Sequence, residues 1–392
     1  MAGSVIVAGA RTPIGKFNGA LGGFSAMDLG GVAIREALAR AGLSGEQIQY
    51  VIMGHVLQAG QGQITARQAA VAGGVPMDIP CITINKVCLS GLNAIHLADA
   101  LIRSGEVEIA IAGGMESMTQ APYAMPKARF GARMGNAELV DLMIHDGLWC
   151  AFDRVHMGDS SDRVNKKLGI GRVESDEWSA RSHERAAEAT KAGRLAEEIA
   201  AVEVPQRKGD PIRVEEDEGI RPGTTAQSLA GLKPAFVKDG TITAGNASQI
   251  SDGATATIVM SKEKAAALGL EPLAEIVAHG QVAGPDASLH LQPANAISAA
   301  AAKAGVNVGD IDLFEINEAF AAVAIAATRD LGVSEGKVNV NGGAVALGHP
   351  IGMSGARLVL TAAYEMKRRG GGLAAAALCG GGGQGDALLI RV

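Results

Sequence analysis

The chain has 392 residues, 47% of them hydrophobic and 19% charged, with a formal net charge of −6. That balance excludes a disordered polymer, and an acidic protein lacks the field that nonspecific binding to nucleic acid or an anionic membrane surface requires. Aromatics make up only 3% against 53 glycines, so the core must be built from small and aliphatic side chains with closely packed backbones.

Residues 4–11 read as a short buried strand; they lack the basic start and long apolar run of a signal peptide. No apolar stretch approaches the length of a membrane span. The four cysteines, Cys81, Cys88, Cys150 and Cys379, form neither a CxxC pair nor a disulfide or metal pattern. Reduced thiols in the cytoplasm are the expectation, with no metal.

An internal repeat organises the rest of the chain. Residues 33–48 match residues 296–311 at seven identical positions without a gap, among them Ala33/Ala296, Ile34/Ile297, Gly42/Gly305 and Ile48/Ile311. Each copy reads as an amphipathic helix, a glycine stop and a strand, at 50–54 and 313–317. Ser90-Gly91 and Ser354-Gly355 recur at nearly the same offset. Each opens a helix, predicted over 92–103 and 356–369, that leads to an apolar strand ending in glycine, 108–114 and 373–380. Two matches in the same order imply a duplicated α/β unit with buried strands covered by helices. The intervening stretch, 119–248, is richer in charge, Met and Pro. It contains one clear helix, placed at 175–194 with Ser175 as N-cap. It reads as an insertion, after which the first copy resumes near 253–260. The expected division is 1–118 with 249–270 as one half, 119–248 as the inserted domain, and 271–392 as the other half.

Four positions can carry chemistry. Cys88 lies between the strand-like run 82–87 and the helix opening at Ser90-Gly91. The positive end of the helix dipole there would lower a thiol pKa, and Gly91 would let a substrate approach. A lone cysteine is more often an inert small core residue. His349, in Gly348-His-Pro-Ile-Gly352, occupies the equivalent junction of the second copy. Pseudo-symmetry would bring both helix starts to one crevice, facing a thiol with an imidazole as nucleophilic acyl chemistry requires. Cys379 precedes a run of glycines that offers free backbone N–H groups, although a buried cysteine in a Gly-rich hairpin reads the same way. The run is not a dinucleotide fingerprint, because a strand and not a helix comes after it. Asn317 ends the second-copy strand; by position alone, capping the next helix is its simplest role.

Together these segments resemble the thiolase family over essentially the whole chain. The matching stretches include Asn85-Lys-Val-Cys88-Leu-Ser-Gly, Ala112-Gly-Gly-Met-Glu-Ser-Met118, His156-Met-Gly, Gly240-Thr-Ile-Thr-Ala-Gly-Asn-Ala-Ser248, Asn317-Glu-Ala-Phe, Gly348-His-Pro-Ile-Gly and Cys379-Gly-Gly-Gly. The resemblance implies an α/β fold of two mixed five-stranded sheets in an αβαβα layering, with an inserted loop domain covering coenzyme A. It implies Cys88 as the acylated nucleophile, His349 as its base and Cys379 as the acid/base for the α-proton. Asn317 would hold a water that, with His349, stabilises an enolate. Backbone N–H groups of Cys88 and Gly381 would form a second oxyanion hole. CoA contacts would come from Leu148, His156, Met157, Arg221, Phe236, Ala244 and Ser248. The reaction implied is reversible acyl transfer between acetyl-CoA, CoA and a 3-ketoacyl-CoA, most like an acetoacetyl-CoA thiolase, with no cofactor. A homotetramer is implied by residues 125–135, which resemble a tetramer-forming loop. Residues 282–293 depart from the pattern of relatives near the acyl pocket, so a thiolase for longer chains is the alternative. A decarboxylating ketoacyl synthase normally needs two catalytic histidines. A noncatalytic CoA-ester-binding relative would be expected to lack Cys88 or His349, and all four positions are filled.

Overall fold

The computed structural model describes residues 3–392. Its central strands are β1 (Ser4–Arg11), β2 (Tyr50–Gly54), β3 (Cys81–Ile84), β4 (Ile109–Ser117) and β5 (Ser251–Ser261) in the first half. The second half supplies β6 (Ala274–Ala283), β7 (Leu313–Ile316), β8 (Leu373–Gly380) and β9 (Gln384–Arg391). The spatial order is β7-β8-β9-β6-β1-β5-β4-β2-β3, and the two-residue strand Gly15–Lys16 pairs with the start of β5. Outward from the β1–β6 junction, both halves run through two antiparallel pairings and then a parallel one. The first half adds β3, parallel to β2; the second has the single parallel bridge Phe314↔Val338 in that place. The halves join where β1 pairs with β6 at Val5↔Glu275 and Ile6↔Ala274.

The repeated segments form matching elements for identifiable reasons. Helices α1 (Ala26–Ala41) and α5 (Gln292–Ala304) both stop at a glycine in the left-handed region, Gly42 at φ 63° and Gly305 at φ 68°, the conformation a glycine C-cap supplies without steric cost. A capped 3-10 turn, Gly45–Gln47 or Val308–Asp310, then aims the chain into β2 or β7. Outer cores form where α1 covers the first half and α5 and α6 (Ala321–Leu331) cover the second. Helices α2 (Ser90–Arg103) and α7 (Ser354–Arg368) pack on each other in the middle layer. A Cβ on Gly91 would meet the Ala356 nitrogen at 2.8 Å, and one on Gly355 would meet the Leu92 nitrogen at 2.5 Å. Gly91 therefore serves close helix–helix approach, not the substrate access expected of it.

Within 119–250, the strands pair only among themselves, in two-stranded ribbons. Helix α3 (Met157–Leu168) is capped by the His156 side chain. Helix α4 (Arg172–Lys191) starts directly after its N-cap Gly171, earlier than expected. Ser175 is not its cap: its hydroxyl donates back to the Gly171 carbonyl from inside the first turn. Among the described residues no helix is long and apolar enough to cross a membrane.

Candidate active site

Strand β3 stops at Ile84, and residues 85–89 make an irregular turn into α2. Val87 takes φ 51°, a conformation costing a β-branched residue about 1–3 kcal/mol unless its surroundings impose it. Here they do. The Asn85 side-chain carbonyl accepts the Val87 N–H at 2.9 Å, and Ser90 Oγ accepts from the Lys86 N–H and donates to the Val87 carbonyl at 2.6 Å. Lys86 pairs at 2.8 Å with the fully buried Asp386 of β9. These bonds hold Cys88, 5% exposed, just before the first turn of α2.

His349 comes after the short helix Ala344–Leu347 and Gly348, whose φ of 108° only glycine adopts readily. Its loop lies directly on β4: a Cβ on Gly114 would sit 2.0 Å from the Gly352 carbonyl. Buried Glu116 accepts the Gly352 N–H at 2.9 Å and those of Val56 and Leu57 at 3.1 Å. His349 Nδ1 lies 2.6 Å from Ser354 Oγ, which donates to the Pro350 carbonyl at 2.9 Å. The serine proton being committed, Nδ1 carries the imidazole proton and Nε2 is the bare nitrogen. That nitrogen faces the Asn317 side-chain amide at 3.4 Å. Asn317 is fully buried, and among the described residues its Oδ1 has no partner. It does not cap the following helix, where Phe320 takes that position; the parallel β7–β8 pairing instead continues into Asn317 N–H to Ala377 carbonyl and turns the side chain inward.

Cys379, 1% exposed, lies one residue before the end of β8, opposite Gly385. In the turn beyond it, the Gly381 N–H is directed at the Cys88 sulfur. Cys88, His349, Cys379 and Gly381 line one cavity of about 220 Å³. The sequence alone implies a lowered Cys88 pKa, but burial outweighs the helix terminus: the thiol is pushed up to about 12, despite its own N–H and that of Gly381. Burial raises Cys379 as well, and the neighbouring Cys88 adds to it. Burial, then the charge of Arg357, lowers His349 to about 3. The resting site thus holds two neutral thiols and a neutral imidazole with a free Nε2. Such a set can exchange protons with a bound substrate without separating charge beforehand.

Residues 4–263 match the family model for the thiolase N-terminal domain and residues 270–392 that for the thiolase C-terminal domain. The chain belongs to the thiolase family. It is 60% identical over 387 residues to a probable acetyl-CoA acetyltransferase of Mycolicibacterium smegmatis, covering 99% of this chain and 100% of that one. It is 50% identical over 386 residues to an acetyl-CoA acetyltransferase of Pseudomonas aeruginosa, covering 98% of each. The crystal structure of the Bacillus anthracis acetyl-CoA acetyltransferase superposes with a TM-score of 0.97 at 40% identity, over 100% of this chain and 99% of the other. The protein is accordingly an acyltransferase with the mixed α/β thiolase fold.

Of the contacts expected in this thiolase for CoA, Leu148, His156, Met157, Phe236 and Ser248 line the cavity. His156 stacks on Phe236 with ring centroids 4.4 Å apart, and Phe236 meets Phe320 edge-on. Ser248 Oγ donates to the Ala319 carbonyl at 3.0 Å. Arg221 and Ala244 are exposed and do not line the cavity. Sequence reasoning misses Ile250, Ala319 and Ile351 as lining residues, and Ser354 as the partner of His349. In the sequence Ser354 reads only as a helix start. Its position five residues after His349, on the turn beyond Pro350, is the available signal.

Proposed function

We propose that the chain catalyses reversible Claisen condensation of acetyl-CoA with a short acyl-CoA, and the reverse thiolysis of a short 3-ketoacyl-CoA by CoA, through an acyl thioester on Cys88. The observation that carries this reading is the convergence of Cys88, His349 and Cys379, drawn from both halves of the fold, on one cavity. As the Cys88 sulfur attacks the thioester carbonyl, its proton passes to His349 Nε2. The departing CoA sulfur takes a proton from Cys379, leaving acyl-Cys88, an imidazolium and the Cys379 thiolate. That thiolate removes the α-proton of an incoming acetyl-CoA. The resulting enolate, its oxygen held between Asn317 and His349, attacks the acyl carbon. Cys88 leaves and recovers its proton from His349, so every group returns to its resting state. The N–H groups of Cys88 and Gly381 stabilise the acyl-enzyme oxygen. The CoA thioesters are substrates and no further cofactor enters.

Residues 119–248 would cover CoA, with Arg221 and Ala244 contacting its exposed portion outside the acyl cavity. The short-chain assignment is supported by the names of the relatives and by the Met157, Leu289 and Phe320 walls. The exposed Phe130 and Met134 of residues 125–135 support a homotetramer built through that segment. The need for two reduced thiols accords with a cytoplasmic enzyme. The test is incubation with acetyl-CoA, acid quenching and peptide mass analysis, with an acetyl group expected on the Cys88 peptide. Cys379→Ser should still acetylate at Cys88, yet lose condensation and α-proton exchange. Acetyl on Cys379 with Cys88 unmodified would reverse the two roles.

A further inference from the structure

Beneath the His349–Asn317 pair lies a second pair that the mechanism leaves unused. Glu315 of β7 and Arg357 of α7 form an ion pair at 3.2 Å, with exposures of 0% and 1%. The pair is poorly satisfied: among the described residues, Glu315 Oε1 and Arg357 Nη2 have no hydrogen-bond partner. The near neighbours of Glu315 on the sheet, Leu313 and Ala376, are aliphatic, and the other charged groups facing it are the carboxylates of Glu198, Glu318 and Glu365. A buried ion pair of this kind is seldom more stable than apolar side chains of similar volume. Packing alone therefore gives no reason for charge here.

Its position does. Glu315 precedes Asn317 by two residues, so the two share a face of the strand direction, and Asn317 continues the β7–β8 pairing. Arg357 stands three residues after Ser354 on the same helix, within one turn, and Ser354 is the group that orients His349. The ion pair thus bridges the strand that presents Asn317 and the helix that presents the imidazole. Resting on the catalytic reading above, we propose that Glu315–Arg357 is a positioning pair that keeps Asn317 and His349 Nε2 at the spacing required to share one substrate oxygen. The same arginine is the one charge that depresses the basicity of His349 besides burial. Glu315 faces Arg357 together with the carboxylates of Glu198, Glu318 and Glu365; burial and those acids hold it up at about 8 against the arginine.

The test compares the wild-type enzyme with the double variant E315L/R357M, which substitutes apolar side chains of similar size, and with the single variants R357K and E315Q. Thermal unfolding, KM, kcat for thiolysis, and acetylation of Cys88 are read for each. The double variant should fold and keep KM within about two-fold. Its kcat should fall by about 10- to 100-fold, the scale of a modest misplacement of catalytic groups. The acid limb of its kcat/KM profile should move to higher pH as His349 gains basicity, and R357K should restore part of the rate. A double variant that folds with kcat within two-fold and an unmoved pH profile would make the pair a packing feature and overturn the proposal. Should the double variant fail to fold, E315Q decides by kcat: a fall of about 10-fold or more with KM little changed supports the proposal, and kcat within two-fold overturns it. Absence of Cys88 acetylation in the wild type would instead sink the catalytic reading, a separate outcome.

Discussion

Ser354 Oγ accepts a hydrogen bond from His349 Nδ1 at 2.6 Å because its own proton is committed to the Pro350 carbonyl at 2.9 Å. One hydroxyl thereby selects the imidazole tautomer and leaves Nε2 free to act as base. Ser354→Ala should strand a buried N–H, at a cost of about 1–3 kcal/mol in stability. With the ring free to turn, kcat for thiolysis should fall about 10-fold or more while KM changes little. Steady-state kinetics and denaturant unfolding together check this. Unchanged kcat would show that the ring is oriented by packing alone.

On the proposed function, the cavity walls would set substrate length. Met157, Leu289 and Phe320 meet around Cys379 in one buried cluster. Adding methylenes against such a wall costs about 1–3 kcal/mol through overpacking, more than the roughly 0.8 kcal/mol each gains by burial. Acetoacetyl-CoA should therefore be cleaved with higher kcat/KM than 3-ketohexadecanoyl-CoA. Met157→Ala should raise the efficiency on six-carbon relative to four-carbon substrate by about 10-fold, the value of one or two methylenes accommodated. Comparable efficiency of the wild type on the sixteen-carbon substrate would refute the wall assignment. It would favour the longer-chain reading.

Acid should weaken the fold through its buried histidines. Burial lowers His349 to about 3 and His96, His183 and His290 to about 4, against an ordinary value of 6.5. For each, the unfolded chain binds a proton that the folded state refuses. Stability is thus complete above about pH 6.5 and falls as pH drops toward 4. Glu315, raised to about 8, works oppositely by releasing a proton on unfolding in this range. Calorimetric unfolding near pH 5.5, in two buffers of different ionisation enthalpy, should show uptake of about three protons. Zero uptake would mean that these imidazoles are already charged in the native protein.

Much of this is legible in the residues taken alone. Local rules produce the repeat: glycines end α1 and α5, and Ser90-Gly91 and Ser354-Gly355 open α2 and α7 at corresponding places. The placing of Cys88 and His349 at equivalent junctions rests on that symmetry. Other readings fail because they weigh one local force. Ser175 has the side chain of an N-cap, but the helix extends through it from Gly171. Asn317 has the side chain to cap a helix, yet continuation of the β7–β8 pairing buries it beside His349 instead.

The sequence by itself determined the duplicated α/β architecture and the family, and it singled out four candidate positions, because periodicity, glycine stops and short motifs are properties of neighbouring residues. Tertiary structure alone decided the protonation states. Whether the helix terminus or desolvation governs the Cys88 thiol depends on how completely distant segments exclude water, and here they exclude enough to push it up to about 12. It also decided that Gly91 serves helix packing, that Ser354 holds the imidazole, and that an ion pair joins residues 42 positions apart beneath it. Such relationships arise between elements remote along the chain, and local sequence pattern carries no record of the distance or the dielectric between them.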